Sequence, residues 1–234
     1  MQELDFSSHY SIIGKLGQGT GGEVYKVIDK KGDTYAAKFP LPGKVYNQYV
    51  KNEASTLSQL NSIHFPKYYG TYNHNGSNIY VMQYIEGRTL DEITETDVTE
   101  EILVKVLEDI AVGLDMLHAK GLTHGDLTSE NVMITPSNKA ILIDINGKWQ
   151  CFDPVDVLET YDEYLDQCSE FEINVLADIH SFGSMLQDII LTCDDLSSTF
   201  LNKLRNIQKL CHHESILKRP TVSELKLLCN SRFE

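Results

Sequence analysis

Three polar residues near the middle of the sequence have the types and spacing that phosphoryl transfer requires. Asp126 and Asn131 lie five residues apart in a short predicted loop, and Asp144 follows Asn131 by thirteen residues at the end of an apolar run. One carboxylate can orient a hydroxyl or accept its proton, while an amide and a second carboxylate can hold Mg²⁺. The pattern predicts a phosphotransfer site, if other elements supply groups that bind a nucleotide.

Composition narrows the class of protein. The chain has 234 residues, of which 41% are hydrophobic, enough for one large domain or two small lobes. Its net charge of −14 disfavours nucleic acid or an anionic membrane as the main partner. No apolar run approaches the ~18 residues of a membrane span, and the N-terminus lacks a signal pattern. The five cysteines include no C-x-x-C pair, so we expect reduced thiols in a cytoplasmic protein without zinc.

A glycine-rich turn occurs early in the chain. Four glycines fall within residues 17–22, between predicted strands over 10–16 and 24–28. A dinucleotide fingerprint would open a helix after the glycines, and helix signals are missing there. Glycines in a hairpin let the backbone fold closely over phosphates, so the turn favours a nucleotide-binding role over a merely flexible one.

A lysine and a glutamate on the next two elements could complete this nucleotide site. Lys38 lies in a predicted strand over 34–39, and Glu53 is the only acidic residue in a predicted helix over 47–60. A Lys–Glu pair would hold the ammonium against phosphates. Spacing does not prove that pairing, and Lys38 alone could be a surface lysine with a half-buried stem.

The remainder of the chain is predicted to be mainly helical. A strand over 78–84 ends the first part, and we place a boundary near residue 85, giving regions 1–85 and 86–234. A long helix begins at the Asp97-x-x-Glu100 start signal and ends by Gly121, with one apolar stripe that belongs to the core. Further helices are predicted over 176–192, over 200–210 and from the Thr221-x-x-Glu224 start signal.

Taken in order, these patterns resemble the eukaryotic-type protein kinases over residues 10–220. The matched residues are Gly17-x-Gly19-x-x-Gly22-x-Val24, Ala36-x-Lys38, Glu53, His124-x-Asp126-Leu127-x-x-x-Asn131, Asp144, Asp178-Ile179-x-Ser181-Phe182-Gly183 and Arg219-Pro220. Each piece is weak alone, but all seven in order are specific. The resemblance implies an α+β, two-lobed kinase fold, with a small β-rich N-lobe carrying one main helix and a larger, mostly helical C-lobe.

The resemblance also implies roles for individual residues. Asp126 is expected to be the catalytic base, with Lys38 and Asn131 as its catalytic partners, while Asn131 and Asp144 ligate Mg²⁺, or alternatively Mn²⁺. His124 is expected to pack the loop, and Asp178 to cap its backbone. The residues expected to bind ATP are Gly17, Gln18, Gly19, Thr20, Gly22, Val24, Ala36, Lys38, Glu53, Met82, Gln83, Ile85, Met133 and Asp144.

Three departures from the kinase pattern bear on activity. Gly125 replaces an Arg that normally meets a phosphorylated activation loop, Thr128 replaces a Lys, and Ile145 replaces the Phe of Asp-Phe-Gly. We therefore expect an ATP-dependent Ser/Thr protein kinase without the usual loop-phosphorylation switch. A pseudokinase scaffold remains open, as does a phosphotransferase on a small-molecule or other non-Ser/Thr acceptor, because His-Gly-Asp-Leu also occurs in aminoglycoside and choline kinases.

The segment over residues 144–177 suggests a substrate class. It contains nine acidic residues against one base, Lys148, which predicts an acidic surface that favours basic protein substrates, or simply a solvated loop. Asp166 is a candidate partner for Arg219. His212-His213 is expected to be a loop or helix-end pair rather than a metal site. We expect cytoplasmic action, in a host cytoplasm if the protein is a secreted or viral effector.

Overall fold

The computed structural model describes residues 4–19, 21–93, 98–146, 169–193 and 196–230. Backbone contacts divide the chain into two compact units, Met1–Glu86 and Gly87–Glu234. The first unit is built on an antiparallel sheet with an α-helix, and the second is mainly helical. The predicted α+β class is therefore confirmed.

The sheet of the first unit has five antiparallel strands in the order β1-β2-β3-β5-β4. The strands are β1 Tyr10–Gln18, β2 Gly22–Asp29, β3 Thr34–Pro40, β4 Tyr68–His74 and β5 Ser77–Gln83. Strand β4 is the one that the sequence analysis missed. It joins β5 through Asn75-Gly76, whose φ angles of 53° and 82° are those of a tight hairpin turn.

The two faces of this sheet have different characters. A cluster of buried apolar and aromatic residues fills one face, and it includes Ala37 of β3 and Phe6 from a short 3₁₀ helix at Phe6–Ser8. Because side chains alternate along a strand, Ala36 and Lys38 lie on the opposite face. Helix α1, Lys44–Leu57, contacts β3 and β5, and its Glu53 meets Lys38 there.

In its described residues, the second unit combines four α-helices with a small sheet of strands β6, β7 and β8. Its elements are β6 Arg88–Thr89, α2 Glu100–His118, β7 Val132–Ile134, β8 Ala140–Leu142, α3 Glu170–Thr192, α4 Ser198–Cys211 and α5 Val222–Asn230. The predicted apolar stripe of α2 is core, since Leu103, Val106 and Leu114 are each at most 1% exposed. Gly183 allows α3 and α4 to approach closely, because a Cβ there would lie 2.7 Å from that of Cys211.

Helix boundaries follow local capping. Helix α2 is capped by Thr99, whose hydroxyl accepts the N–H of Ile102, whereas Asp97, the predicted start, lies outside the described residues. The predicted box at Thr221 and Glu224 is present before α5. A second box, Ser169 with Glu172, starts α3 six residues earlier than predicted. Within the described ranges, no helix is both long and apolar enough to cross a membrane.

Candidate active site

The first unit contains a buried ion pair between Lys38 and Glu53. The Lys38 Nζ lies 2.9 Å from each carboxylate oxygen of Glu53, and the two residues are 2% and 6% exposed. The hydroxyl of Tyr80 donates to the same carboxylate at 3.3 Å, a contact that the sequence did not predict. A buried charge needs such partners, because desolvation penalises it strongly. The predicted pair is therefore present, and it fixes the ammonium on one sheet face.

Three apolar residues that are expected to bind ATP lie on that same face. Val24 is directly opposite Lys38 in the β2–β3 pairing, and Ala36 is opposite Met82 in the β3–β5 pairing. Directly opposed residues of antiparallel strands point to the same side of a sheet. Ala36 and Met82 are 4% and 7% exposed. The structure thus groups the small and apolar residues around Lys38 within the first unit.

Three further positions that are expected to bind ATP lie elsewhere. Gln83 ends β5, and its backbone N–H donates to the backbone carbonyl of Lys67 at 2.8 Å. Ile85 follows the strand by two residues and is partly buried. Met133 belongs to the second unit, where it pairs with Ile141 in the β7–β8 ladder.

The glycine-rich turn joins β1 to β2 as a hairpin. Its tip is closed by a bond from the Gly19 N–H to the Gly22 carbonyl at 2.9 Å. A Cβ on Gly22 would lie 2.4 Å from the carbonyl oxygen of Phe39, so packing alone requires glycine there. A Cβ on Gly17 would meet no described atom within 4 Å. Thr20 lies outside the described residues.

Charged side chains brace the base of this hairpin. Lys15 bridges the strands, with its Nζ 2.6 Å from Glu23 and 2.8 Å from the side chain of Gln18. The hydrogen bond from Lys15 lowers the pKa of the exposed Glu23 carboxyl. The Gln18 side chain is therefore tied to β1 and does not extend freely from the turn.

In the second unit, Asp126 and Asn131 are in direct contact. The Asn131 Nδ2 donates to the backbone carbonyl of Asp126 at 2.8 Å and to its Oδ2 at 3.2 Å. Because the NH₂ end of the amide is used in these bonds, its Oδ1 is the atom left for a cation. Asp126 is exposed, so its carboxylate is accessible from solvent.

The buried side chain of His124 contacts the backbone of this loop. It is fully buried, and its Nδ1 accepts the backbone N–H of Asp126 at 3.4 Å. Burial lowers the pKa of His124, outweighing the opposing effect of nearby carboxylates, of which Asp178 has the largest. The ring is therefore neutral near pH 7, which fits a packing role rather than acid–base chemistry.

Asp178, on α3, fixes the backbone at the start of the loop. Its carboxylate accepts the N–H of His124 at 2.8 Å and that of Gly125 at 2.9 Å, and it is 1% exposed. The predicted cap is confirmed. It also contacts Nε2 of His118 at 2.8 Å, a third partner that the sequence did not predict. Gly125 has φ of 77°, a conformation that costs other residues about 1 kcal/mol or more.

Asp144 has an unusual backbone conformation next to this loop. Its φ is 55°, which is uncommon for a residue other than glycine. Hydrogen bonds on both sides hold it there, from Ile143 N–H to the Asn131 carbonyl at 3.0 Å and from Asn146 N–H to the His124 carbonyl at 2.9 Å. The side chain of Ile145 is only 4% exposed, and its burial anchors the turn. Strained backbone of this kind is typical of functional sites.

The oxygen donors of this loop suit Mg²⁺ that is also bound by a nucleotide. Mg²⁺ is usually held by one or two carboxylates together with phosphates and water, rather than by a cage of protein ligands. Asp144 and Asn131 offer that donor set, and no group of three or more His, Cys, Asp or Glu in the described residues could hold a metal.

His212 is the C-cap residue of α4, which agrees with its prediction as a helix-end histidine. Its Nε2 lies 3.2 Å from the Ser184 hydroxyl oxygen and 3.2 Å from the His180 carbonyl oxygen.

Arg219 connects the helices below the loop. Its guanidinium donates to the carbonyls of Leu176 at 3.0 Å and His213 at 3.4 Å. Its predicted partner Asp166 lies outside the described residues, together with most of the acidic segment over 144–177.

Comparison with protein families agrees with this geometry. The family model described as the protein kinase domain matches residues 10–148. That range covers the glycine-rich hairpin, the Lys38–Glu53 pair, the Asp126 loop and Asp144, and it is more than half of the 234 residues. The helices after α2 lie beyond the match, although Asp178 on α3 bonds directly to the matched loop. The chain therefore belongs to the protein kinase domain family.

Proposed function

We propose that the chain is an ATP-dependent protein kinase that transfers the γ-phosphate of Mg-ATP to Ser or Thr hydroxyls of a protein substrate. The contact between Asn131 and Asp126 carries this proposal, because it fixes a carboxylate and an amide together in an exposed loop. Family membership supports a kinase in general. The retained charged groups favour an active enzyme over a scaffold.

Residues in both parts of the sequence are expected to bind the nucleotide, as the protein kinase resemblance implies. Lys38, held by Glu53, would contact the α- and β-phosphates, and the turn with Gly17 would cover them. Asn131 and Asp144 would hold Mg²⁺ through Oδ1 and a carboxylate oxygen. When bound, Mg-ATP supplies the phosphoryl group and neutralises charge that develops on it.

Asp126 would act on the acceptor. Its Oδ2 is engaged by Asn131, and its Oδ1 makes no hydrogen bond within the described residues. A substrate hydroxyl can donate to that free oxygen, which orients it and receives its proton as the phosphoryl group is transferred. Proton acceptance by a positioned carboxylate contributes roughly 10²- to 10⁴-fold to rate.

We further propose that activity does not need a phosphorylated loop. The usual Arg is Gly125, so the expected phosphate contact lacks its cation. The loop is instead anchored by Asp178, through bonds to two backbone N–H groups that phosphorylation does not affect.

The net charge of −14 supports a basic protein as substrate rather than nucleic acid or an anionic membrane. We propose that the protein acts in the cytoplasm, or in a host cytoplasm if it is a secreted or viral effector.

Incubation with radiolabelled ATP and Mg²⁺ tests the proposal, comparing the wild type with Asp126→Ala and Asp144→Ala. Autophosphorylation or labelling of a protein acceptor is expected in the wild type only. Tight Mg-ATP binding without any label would favour a scaffold. Label transferred only to small-molecule acceptors would favour a different phosphotransferase.

A further inference from the structure

Tyr80 lies within the sheet of the first unit, next to the Lys38–Glu53 pair. It belongs to β5, which pairs with β3 on one side and with β4 on the other. In those two ladders Tyr80 is directly opposite Lys38 and Thr71. Its side chain therefore rises from a strand with two neighbours and points to the same side of the sheet as Lys38.

The Tyr80 hydroxyl is buried together with the ion pair. Tyr80 is 2% exposed, and its hydroxyl donates to Oε2 of Glu53 at 3.3 Å. The same carboxylate oxygen lies 2.9 Å from the Lys38 Nζ. A buried hydroxyl costs free energy unless it is hydrogen-bonded, whereas a phenylalanine ring would fill the same space without that cost. The position of the hydroxyl therefore indicates a role at the Glu53 carboxylate.

Side chains from three elements meet at this carboxylate. Lys38 comes from β3, Tyr80 from β5 and Glu53 from α1. An ammonium alone orients a carboxylate weakly, because the three N–H donors of a lysine rotate about one bond and define no plane. A second donor on a strand with two neighbours restricts the rotation of the carboxylate, which in turn restricts the position of the ammonium.

Attachment of helix α1 to the sheet does not depend on the tyrosine alone. The backbone N–H and the side-chain Nδ2 of Asn78, on β5, both donate to Oδ1 of Asn47, in the first turns of α1. These two bonds are 2.8 Å and 3.1 Å long. They hold the start of the helix against β5, whereas the Tyr80 bond acts on the carboxylate that meets Lys38.

We propose that Tyr80 is a positioning residue for nucleotide binding, because its hydroxyl orients Glu53 and thereby fixes the Lys38 ammonium. The inference rests on the proposed kinase function, in which Lys38 contacts the α- and β-phosphates. Tyr80 acts through the buried pair and not by touching the nucleotide. Loss of its hydroxyl should therefore weaken the binding of nucleotides that carry a β-phosphate.

Tyr80→Phe tests this inference, with Tyr72→Phe as the matched control. Tyr72 is also a buried tyrosine of the sheet, but it belongs to the cluster on the opposite face, and its hydroxyl lies 3.3 Å from that of Tyr10. Both variants keep the ring and lose one buried hydroxyl. Calorimetry on the full chain measures the affinity for ADP and for AMP in the presence of Mg²⁺.

The two variants should differ in nucleotide affinity. We expect Tyr80→Phe to weaken ADP binding about fivefold, and to affect AMP, which lacks the β-phosphate, less. Tyr72→Phe should leave both affinities unchanged. No loss of ADP affinity in Tyr80→Phe, or an equal loss in Tyr72→Phe, would overturn the positioning role.

Glu53→Gln shows whether the tyrosine acts through the carboxylate. The neutral amide cannot form the ion pair, so the Lys38 ammonium is no longer held whether or not the hydroxyl is present. In a Glu53→Gln background, Tyr80→Phe should therefore weaken ADP binding little further. A full fivefold additional loss would mean that the hydroxyl acts on the nucleotide by another route, and this too would overturn the inference.

A measurement without nucleotide separates this inference from the kinase function. In hydrogen–deuterium exchange of the unliganded chain, the α1 amides around Glu53 should exchange faster in Tyr80→Phe than in the wild type or in Tyr72→Phe. Unchanged exchange would contradict an orienting contact. Faster exchange, combined with a wild type that does not bind Mg-ADP, would support the contact with Glu53 but contradict the proposed ATP-dependent activity.

Discussion

The carboxylate of Asp178 accepts a 2.8 Å hydrogen bond from the backbone N–H of His124, 54 residues earlier in the chain. Together with its bond to Gly125, this contact ties the loop that carries Asp126 to helix α3. The loop is thus positioned by a buried side chain of the fold. This arrangement explains how the loop could be ordered although Gly125 cannot bind a phosphate.

Removing the Asp178 carboxylate should therefore destabilise the protein and disorder the loop. Asp178→Ala leaves the N–H groups of His124 and Gly125 without their acceptor, and each unmet buried group costs about 1–3 kcal/mol. We expect the free energy of unfolding in urea to fall by about 3 kcal/mol. The control Glu214→Gln, which changes an exposed residue, should alter the free energy of unfolding little. A loss no larger than in that control would show that Asp178 does not anchor the loop.

Variants of the Lys38–Glu53 pair should affect stability and activity differently. Lys38→Met leaves a buried carboxylate without its ammonium, and breaking a buried pair in this way costs about 3–5 kcal/mol. The double variant Lys38→Met/Glu53→Leu should recover much of that stability in urea unfolding while remaining inactive. Strong coupling would be contradicted if the loss of stability in the double variant equalled the sum of the losses in Lys38→Met and Glu53→Leu. Recovery of activity in the double variant would contradict the phosphate-binding role of Lys38.

The two outer glycines of the turn should respond differently to alanine. Gly22→Ala would place a Cβ 2.4 Å from the Phe39 carbonyl oxygen, so it should lower stability by about 1–3 kcal/mol. Gly17→Ala meets open space, so we expect nearly unchanged unfolding but a higher KM for ATP. Unfolding curves and ATP titrations check this. An unchanged KM in a folded Gly17→Ala protein would argue against close contact with phosphates.

Stability should fall on mild acidification because of His124. Burial depresses its folded pKa below the ordinary value of 6.5, so the unfolded chain takes up a proton that the folded chain does not. The contribution of the neutral His124 ring to the free energy of unfolding is complete above about pH 6.5. It is lost as pH falls towards the folded pKa, at up to about 1.4 kcal/mol per pH unit. Urea unfolding of the wild type and of His124→Asn at pH 8 and pH 5.5 measures it.

The variant should show the weaker pH dependence. His212, whose pKa is also lowered by burial, is present in both proteins and cancels in the comparison. Equal pH dependence of the two proteins would mean that the His124 ring is not held neutral.

Dephosphorylation should leave activity nearly unchanged. Purified protein is treated with a broad-specificity phosphatase, mass spectrometry verifies the loss of phosphate, and the initial rate on a protein acceptor is compared with that of untreated protein. This prediction rests on the proposal that the bonds of Asp178 to the His124 and Gly125 N–H groups order the loop without a phosphate contact. A large loss of rate that rephosphorylation restores would refute this prediction.

Residue type and spacing predicted the features that depend on local sequence or on a strong chemical requirement. The Lys38–Glu53 pair could be predicted because α1 offers only one acidic residue, and the Thr221–Glu224 box because capping is local. The bond of Asp178 to the loop followed from the kinase resemblance. In these cases few alternative partners exist.

Contacts set by tertiary packing were not predictable in the same way. The bonds of Tyr80 to Glu53 and of His118 to Asp178 join residues on separate elements, with no periodic signal to mark them. Strand β4 and the Ser169–Glu172 box are different, because the Asn75-Gly76 turn and the Ser-x-x-Glu pattern were visible signals.

Phosphoamino-acid analysis of product labelled from [γ-³²P]ATP tests the central claim most directly, with Asp126→Asn as the matched control. Wild-type protein should yield phosphoserine or phosphothreonine. The Asp126→Asn protein, whose side chain can still contact Asn131 but cannot take the proton, should be slower by about 10²-fold or more. Label on tyrosine alone, equal rates in both proteins, or Mg-ATP binding without any transfer would contradict the assignment of Asp126 as the base of a Ser/Thr kinase.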